Sequence, residues 1–169
     1  MSRGFVKEDD QEEIPLVPPR AFLPDGVPNY VTEEGMQALL DEKQELLNER
    51  KTLDTINEKE KRIAVNHINA KLQLLNERIL SAQIMESDKL ENDTNEVRFG
   101  ALVKLRIEAT RKKQIFRIVG VDEANISKGK ISFISPLAKA LINKKKGEQA
   151  VLALEQGKRL FTILDVEYK

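Results

Sequence analysis

The chain has no cysteine, no tryptophan and one histidine, and aromatic side chains make up only 5% of its 169 residues. Without cysteine it forms neither disulfides nor a cysteine-built metal site, which fits a reducing cytoplasm. No apolar run approaches the roughly 18 residues that a membrane span needs. The acidic stretch from Glu8 to Glu13 does not follow the pattern of a secretory signal. We therefore expect a soluble, cytoplasmic protein that does not enter a membrane.

Candidate catalytic groups are equally scarce. His67 has no second histidine and no carboxylate at ligand spacing, so we interpret it as a structural or surface residue. The second half of the chain has no Gly-rich phosphate loop and no Ser/His/Asp set. The sequence therefore predicts that the protein is not itself an enzyme and holds no metal or cofactor of its own.

The net charge is zero, but the two halves differ. Residues 1–96 carry 12 Lys and Arg against 21 Asp and Glu, a net charge of −9, whereas residues 97–169 carry 16 against 7, a net charge of +9. Such asymmetry is typical of a protein that docks on a large partner charged in two places, such as a nucleic-acid machine. The alternative is that the halves attract each other or are solubilised separately.

The N-terminal residues 1–30 form a Pro-rich extension, with five of the six prolines of the chain. Proline fixes φ and removes a hydrogen-bond donor, so this stretch predicts extended or turn structure rather than a helix. Its apolar residues, among them Leu16, Val17 and Phe22, could pack along a neighbouring helix or bind a partner.

Residues 31–87 show the pattern of an antiparallel coiled-coil hairpin. Thr32 can cap a first helix in which Leu39, Leu46 and Leu53 recur every seven residues. The pattern then breaks, and capping boxes at Thr55/Glu58 and Asn57/Glu60 begin a second helix. Its a/d seam consists of Val65, Ile68, Leu72, Leu75, Ile79 and Ala82.

A polar linker at residues 88–96 leads to short alternating runs in residues 97–169, which predict strands. These runs are 101–107, 114–121, 130–134, 150–154 and 159–166. The economical fold is a five-stranded, mostly antiparallel sheet with one short helix. The whole chain is thus predicted to be α+β.

The short helix follows a strand and a turn. Ser135 can cap its first turn, and Pro136 fits its first position. We expect this junction to expose an apolar shoulder of Leu137 and Leu141 that a partner could contact. The other interpretation is an ordinary strand-to-helix crossover.

Several motifs resemble the bacterial Gre transcript-cleavage and elongation factors, in their short coiled-coil variant. They are VRFG at 97–100, RIVGVDEA at 117–124, GKIS at 129–132, the Ser135-Pro136 pair, ALI at 140–142, VEY at 166–168 and YVTEEGMQAL at 30–39. The resemblance covers about residues 30–169. It implies an FKBP-like domain that docks on RNA polymerase at the mouth of the secondary channel, with Ser135, Pro136, Leu137 and Leu141 at the contact. It also implies a coiled-coil finger whose acidic tip, in cleavage-active members, helps to hold a catalytic Mg²⁺ in the polymerase.

The tip departs from the family pattern. The D-x-x-E-N type cluster is absent, and the arms are about two turns shorter than in cleavage-active members. The candidate acids are Asp54, Glu58 and Glu60, with Lys59 and Lys61 interspersed. These carboxylates either contribute to metal binding or simply cap a solvated turn.

Three functions follow as hypotheses. The first is a monomeric, polymerase-binding elongation regulator, which either stimulates the polymerase's own RNA cleavage with its Mg²⁺ or only occupies the channel and competes with cleavage factors. It would meet nucleic acid only within the transcription complex. The second is an FKBP-like prolyl isomerase, although a fold alone does not confer that activity. The third is a coiled-coil interaction module that does not bind polymerase.

Overall fold

The first half of the folded chain is a helical hairpin. The structure, a computed structural model, describes residues 15–55, 57–86 and 95–169, without the side chains of residues 54 and 55. Helix α1 spans Glu33–Lys51 and helix α2 spans Glu58–Ser81. A 3-10 turn at Thr52–Thr55 follows α1 at the far end of the hairpin. The predicted hairpin is therefore confirmed.

Polar side chains begin both helices. Thr32 Oγ1 accepts a hydrogen bond from the Gly35 amide at 2.9 Å, as the sequence predicts. At the tip, Asn57 caps α2, because its Oδ1 accepts from the Glu60 amide at 2.9 Å, as one of the two predicted capping boxes requires. Each cap satisfies an amide that the helix itself leaves without a partner.

The leucine stripes of the two helices bury each other. Leu39 and Leu46 of α1 pack with Ile68, Leu72 and Leu75 of α2, and Leu75 is fully buried. Truncating one of these side chains to alanine costs about 2–5 kcal/mol in a well-packed core. This core of its own gives the hairpin a fixed shape.

A two-stranded parallel sheet closes the base of the hairpin, which the sequence did not predict. Strand β1 (Asn29–Val31) precedes α1, and strand β2 (Ala82–Ile84) follows α2. The two strands come together because the helices return the chain to its starting end. At three residues each, they are too short to give an alternating pattern.

The second half is a mixed sheet of five strands in the order β5-β4-β3-β7-β6. The strands are β3 (Leu102–Ile107), β4 (Lys113–Val119), β5 (Lys130–Ser132), β6 (Gln149–Leu154) and β7 (Gly157–Glu167). All neighbours are antiparallel except β4 and β5, because the connection between them crosses back before β5 begins. The α+β prediction is confirmed, with one parallel pair in the sheet.

Helix α3 (Pro136–Leu141) packs on this sheet. Val103 and Leu105 of β3 face it from the core side, as the alternating burial along β3 shows. Ala138 and Leu141 of α3 have no exposed surface. The core of the sheet is thus separate from the core of the hairpin.

The predicted domain boundaries stay predictions. Most of the predicted linker at 88–96 and residues 1–14 of the predicted extension lie outside the described residues. The described part of the extension, residues 15–28, leads directly into β1.

Candidate functional site

Three places bear on function: the tip of the hairpin, helix α3 and the junction between hairpin and sheet. At the tip, Glu58 and Glu60 are exposed in the first turn of α2. Residues two apart on a helix point in different directions, so these carboxylates do not face each other. Both stabilise the positive end of the α2 dipole. Within the chain itself, both acids thus lie at the start of a helix that Asn57 caps.

Asp54 stands apart from these two acids in the backbone. Asp54 lies in the 3-10 turn, and α2 begins only at Glu58. These two residues are therefore not on one continuous helix, where a spacing of four would place them on the same face. The side chain of Asp54 lies outside the described part of the structure. Among the described residues, no group of three or more His, Cys, Asp or Glu side chains is placed to hold a metal ion.

Helix α3 corrects one expectation about the docking surface. Ser135 caps the helix as predicted, since its hydroxyl accepts from the Ala138 amide at 3.3 Å, and Pro136 is exposed at the first position. Leu141, however, is fully buried, and Leu137 packs partly against the sheet core. The prediction of an exposed shoulder is therefore wrong for Leu141, because the apolar side of α3 covers the sheet, whereas Leu137 is half-buried. Ser135 is also half-buried, and Pro136 is exposed.

An aromatic cluster joins the hairpin to the sheet. The ring of Tyr30 in β1 lies 5.9 Å from that of Phe99 and 5.5 Å from that of Phe133, measured between centroids. Phe99 and Phe133 meet edge to face at 5.6 Å. Such pairs contribute about 0.5–1.5 kcal/mol beyond their buried area. The motifs around residues 30 and 97–100 therefore meet in space.

Polar contacts extend this junction. The Thr32 hydroxyl, which caps α1, also donates to Glu123 Oε2 at 2.6 Å. The second oxygen of Glu123 accepts from Lys130 Nζ at 3.0 Å. Nearby, Arg117 Nη1 donates to Glu34 Oε2 at 2.7 Å. Residues of three separate sequence motifs thus form one interface.

Two glycines let the halves approach closely. A Cβ on Gly120 would lie 2.5 Å from the carbonyl oxygen of Tyr30, and one on Gly35 would lie 2.6 Å from Glu123 Oε2. Both glycines lie in motifs that are visible in the sequence, but the motifs do not predict this contact. Only the fold brings residue 120 to residue 30.

The fold and the junction define a class of protein in which a helical hairpin is fixed to a small mixed sheet. The family model described as "Transcription elongation factor, GreA/GreB, C-term" matches residues 92–168. Within the described residues, no helix is long and apolar enough to cross a membrane.

Two curated relatives extend the match beyond that region. Transcription elongation factor GreB of Neisseria meningitidis serogroup A is 33% identical over 158 residues, covering 83% of this chain and 94% of the relative. Transcription elongation factor GreA of Rhodopseudomonas palustris strain TIE-1 is 40% identical over 104 residues, covering 62% of this chain and 65% of the relative. The match thus spans less than two thirds of the length of that GreA.

Solved structures with a similar chain course include GreA factor homolog 1 (Gfh1) of Thermus thermophilus, at 21% identity and a TM-score of 0.39. That alignment covers 82% of this chain and 97% of the other. A GreA/GreB factor from Nitrosomonas europaea aligns at 16% identity with a TM-score of 0.42, covering 82% and 98%. With the near-complete match to GreB, the chain belongs to the GreA/GreB family of transcription elongation factors.

Proposed function

We propose that this protein is a monomeric, cytoplasmic regulator of transcription elongation, which binds RNA polymerase through its sheet and places its hairpin in the secondary channel. The observation that carries this proposal is the attachment of the hairpin. Both ends of the hairpin are held at the sheet, α1 through Thr32 and Glu123 and the end of α2 through Arg78 and Asp122. The tip therefore lies one helix length away, about 28 Å for α1.

Within this function, the tip supports occupancy of the channel rather than strong stimulation of RNA cleavage. A tip carboxylate that contributed to catalysis would have to coordinate the Mg²⁺ of the polymerase active site, at about 2.1 Å. Glu58 and Glu60 do not fit a shared ion, since they point in different directions from one helical turn. Lys59 lies between them and adds a positive charge close to any bound cation.

A backtracked elongation complex tests the proposal. We expect the wild-type protein, added with Mg²⁺, to bind the complex without shortening its RNA. It should also slow RNA cleavage by an added cleavage-active family member, because both would enter the same channel. Absence of binding to polymerase would refute the function as a whole.

A double variant then distinguishes the two roles of the tip. Asp54→Ala with Glu58→Ala should leave polymerase binding unchanged, because the sheet lies at the opposite end of the hairpin. Glu45→Ala, an exposed acid in the middle of α1, is the matched control. Robust RNA cleavage by the wild type that is lost in the double variant, but not in the control, would overturn the occupancy mechanism.

A further inference from the structure

Residues 15–28 lie against both the hairpin and the sheet, and we call this stretch the brace segment. Val17, Pro18 and Pro19 line an open groove together with Leu46 and Leu74 of the hairpin and Val121 of the sheet, whereas Leu16 and Phe22 are exposed. The prolines restrict the backbone of the segment, which lowers the entropy lost when it is ordered. Polar contacts of Arg20 and of the Ala21 carbonyl oxygen attach the segment to the rest of the fold.

Arg20 is the polar anchor of the brace segment. Its two terminal nitrogens donate to the carboxylate of Glu42 on α1 at 2.8 and 3.0 Å. Its Nε donates to Oδ1 of Asp122, in the loop after β4, at 2.9 Å. The hydrogen bond to Glu42 is the main cause that raises the pKa of Arg20, so its charge is permanent. One guanidinium therefore connects the hairpin to the sheet.

Helix α2 also contacts Asp122. Arg78 Nε of α2 lies 3.4 Å from Asp122 Oδ2, and Arg78 also donates to the carbonyl oxygen of Ala21 in the brace segment. Only 8% of the Asp122 side chain is exposed, and 19% of that of Arg20. These partly buried pairs are screened by salt much less than exposed ones.

Through Glu42, Arg20 holds α1 at a point far from the base of the hairpin. The junction at Thr32 holds the first turn of α1, whereas Glu42 lies ten residues further, about 15 Å along the helix. The other polar attachments of the hairpin, at Thr32, Glu34 and Arg78, all lie near its base. A contact about 15 Å farther along α1 therefore restrains the angle of the hairpin more strongly than the contacts at the base do. Without Arg20, the carboxylates of Glu42 and Asp122 would lose the cation between them, and like charges repel.

We propose that Arg20 is a positioning residue, which sets the angle between the hairpin and the sheet through Glu42 and Asp122. The consequence of this angle rests on the proposed function, since it determines where the tip lies once the sheet is docked. The angle itself belongs to the free protein and is measured without polymerase. If the protein did not bind polymerase, the effect of Arg20 on this angle could still be measured.

Distance measurement between two spin labels tests the inference on the full chain. The protein has no cysteine, so Glu49→Cys on α1 and Lys158→Cys at the β6–β7 turn provide two unique, exposed attachment sites. The labelled parent should give one narrow distance distribution by pulsed electron paramagnetic resonance. Arg20→Gln should broaden this distribution about twofold, because the remaining contacts between the hairpin and the sheet allow the hairpin to move relative to the sheet.

Two further variants make the result specific. Arg20→Lys should broaden the distribution less than Arg20→Gln, since lysine keeps the charge but lacks the planar fork. Arg50→Gln is the matched control, because Arg50 donates to Asn69 within the hairpin. A parent-like distribution in Arg20→Gln would overturn the proposal. If circular dichroism shows Arg20→Gln to be unfolded, Arg20→Lys decides in the same way, with broadening in support and a parent-like distribution against.

Discussion

Gly120 faces the carbonyl oxygen of Tyr30 so closely that no methyl group fits between the sheet and the base of the hairpin. The atom that a Cβ would meet, at 2.5 Å, belongs to the backbone of β1 and cannot rotate away. Gly120→Ala should therefore lower the free energy of unfolding by about 1–3 kcal/mol, as overpacking does in well-packed sites. Chemical denaturation measures this change.

Gly35→Ala is the matched control for that substitution. Its Cβ would meet the end of the Glu123 side chain, which can turn aside. Alanine also has a higher helix propensity than glycine, by up to about 1 kcal/mol, which offsets part of the cost of moving the Glu123 side chain. We expect a smaller loss of stability than for Gly120→Ala. Equal losses would show that the backbone contact at Gly120 does not limit the junction.

The carboxylate of Glu108 makes the free energy of unfolding depend on pH in the acidic range. Thr162 donates to its Oε1 at 2.5 Å, and this hydrogen bond, followed by that from Arg106, lowers the pKa of Glu108 below its usual range. A carboxylate with a lowered folded-state pKa stabilises the fold above its unfolded value, about 4.3, and this contribution is lost as the pH falls through the folded value. Thr162→Val should therefore flatten the acid limb of the stability curve.

Unfolding free energies between neutral pH and pH 3 check this expectation. Thr162→Ser keeps the hydroxyl and should retain the slope of the parent. Asp165, whose pKa Lys146 lowers, contributes to the same limb, so Thr162→Val should remove only part of the slope. A Thr162→Val curve parallel to that of the parent would contradict the role of the hydroxyl.

At the scale of elements, helix α3 shows what a local pattern can and cannot predict. Its start at Ser135 and Pro136 followed from capping chemistry, which depends on neighbours in sequence. The burial of Leu141 did not, because it depends on the strands that α3 covers. An apolar residue at helical spacing indicates a buried side but not which neighbour buries it.

The hairpin shows the same limit. The leucine stripes predicted two helices and their mutual contact, and the structure confirms both. The β1–β2 pair and the contact of Arg20 with Asp122 were missed, since each joins residues more than 50 positions apart. A short strand or a single arginine carries no periodic signal that would reveal such a partner. At the tip, the sequence left open which of two capping boxes begins α2, and the structure places Asn57 at the cap.

Pro136 offers the clearest test of α3 as the polymerase contact. Because it is exposed at the first helical position, Pro136→Glu adds a carboxylate where the helix dipole favours one, so the fold should persist. If α3 enters the contact, the new charge would be buried without a partner, and affinity for polymerase should fall roughly tenfold or more. Titration of labelled protein against polymerase measures the affinity.

Ala109→Glu is the control for this charge, because Ala109 is exposed in the turn between β3 and β4, whereas α3 packs on β5 and β6. It introduces the same carboxylate on another element and should leave affinity unchanged. Unchanged affinity in Pro136→Glu as well would show that α3 is not part of the docking surface. Polymerase would then have to contact another part of the sheet.

For the whole molecule, the separation of charge into a −9 part and a +9 part has two competing explanations. If the halves attract each other, contacts such as Glu34–Arg117, at 2.7 Å, should hold the molecule together, and salt should weaken its folded state. If each half engages a different surface of polymerase, salt should instead slow association. The two explanations thus predict different measurements.

We expect the association rate with polymerase to fall markedly as salt rises, with little change in the free energy of unfolding. Charges that steer two molecules together act over distances beyond the Debye length, about 8 Å at physiological ionic strength, and are screened there. Exposed pairs within one folded chain contribute only about 0–1 kcal/mol each, so their screening changes stability little. Stopped-flow association and denaturation across one salt series measure both quantities on the same protein. A salt-independent association rate together with a salt-sensitive stability would assign the charge separation to contacts within the chain.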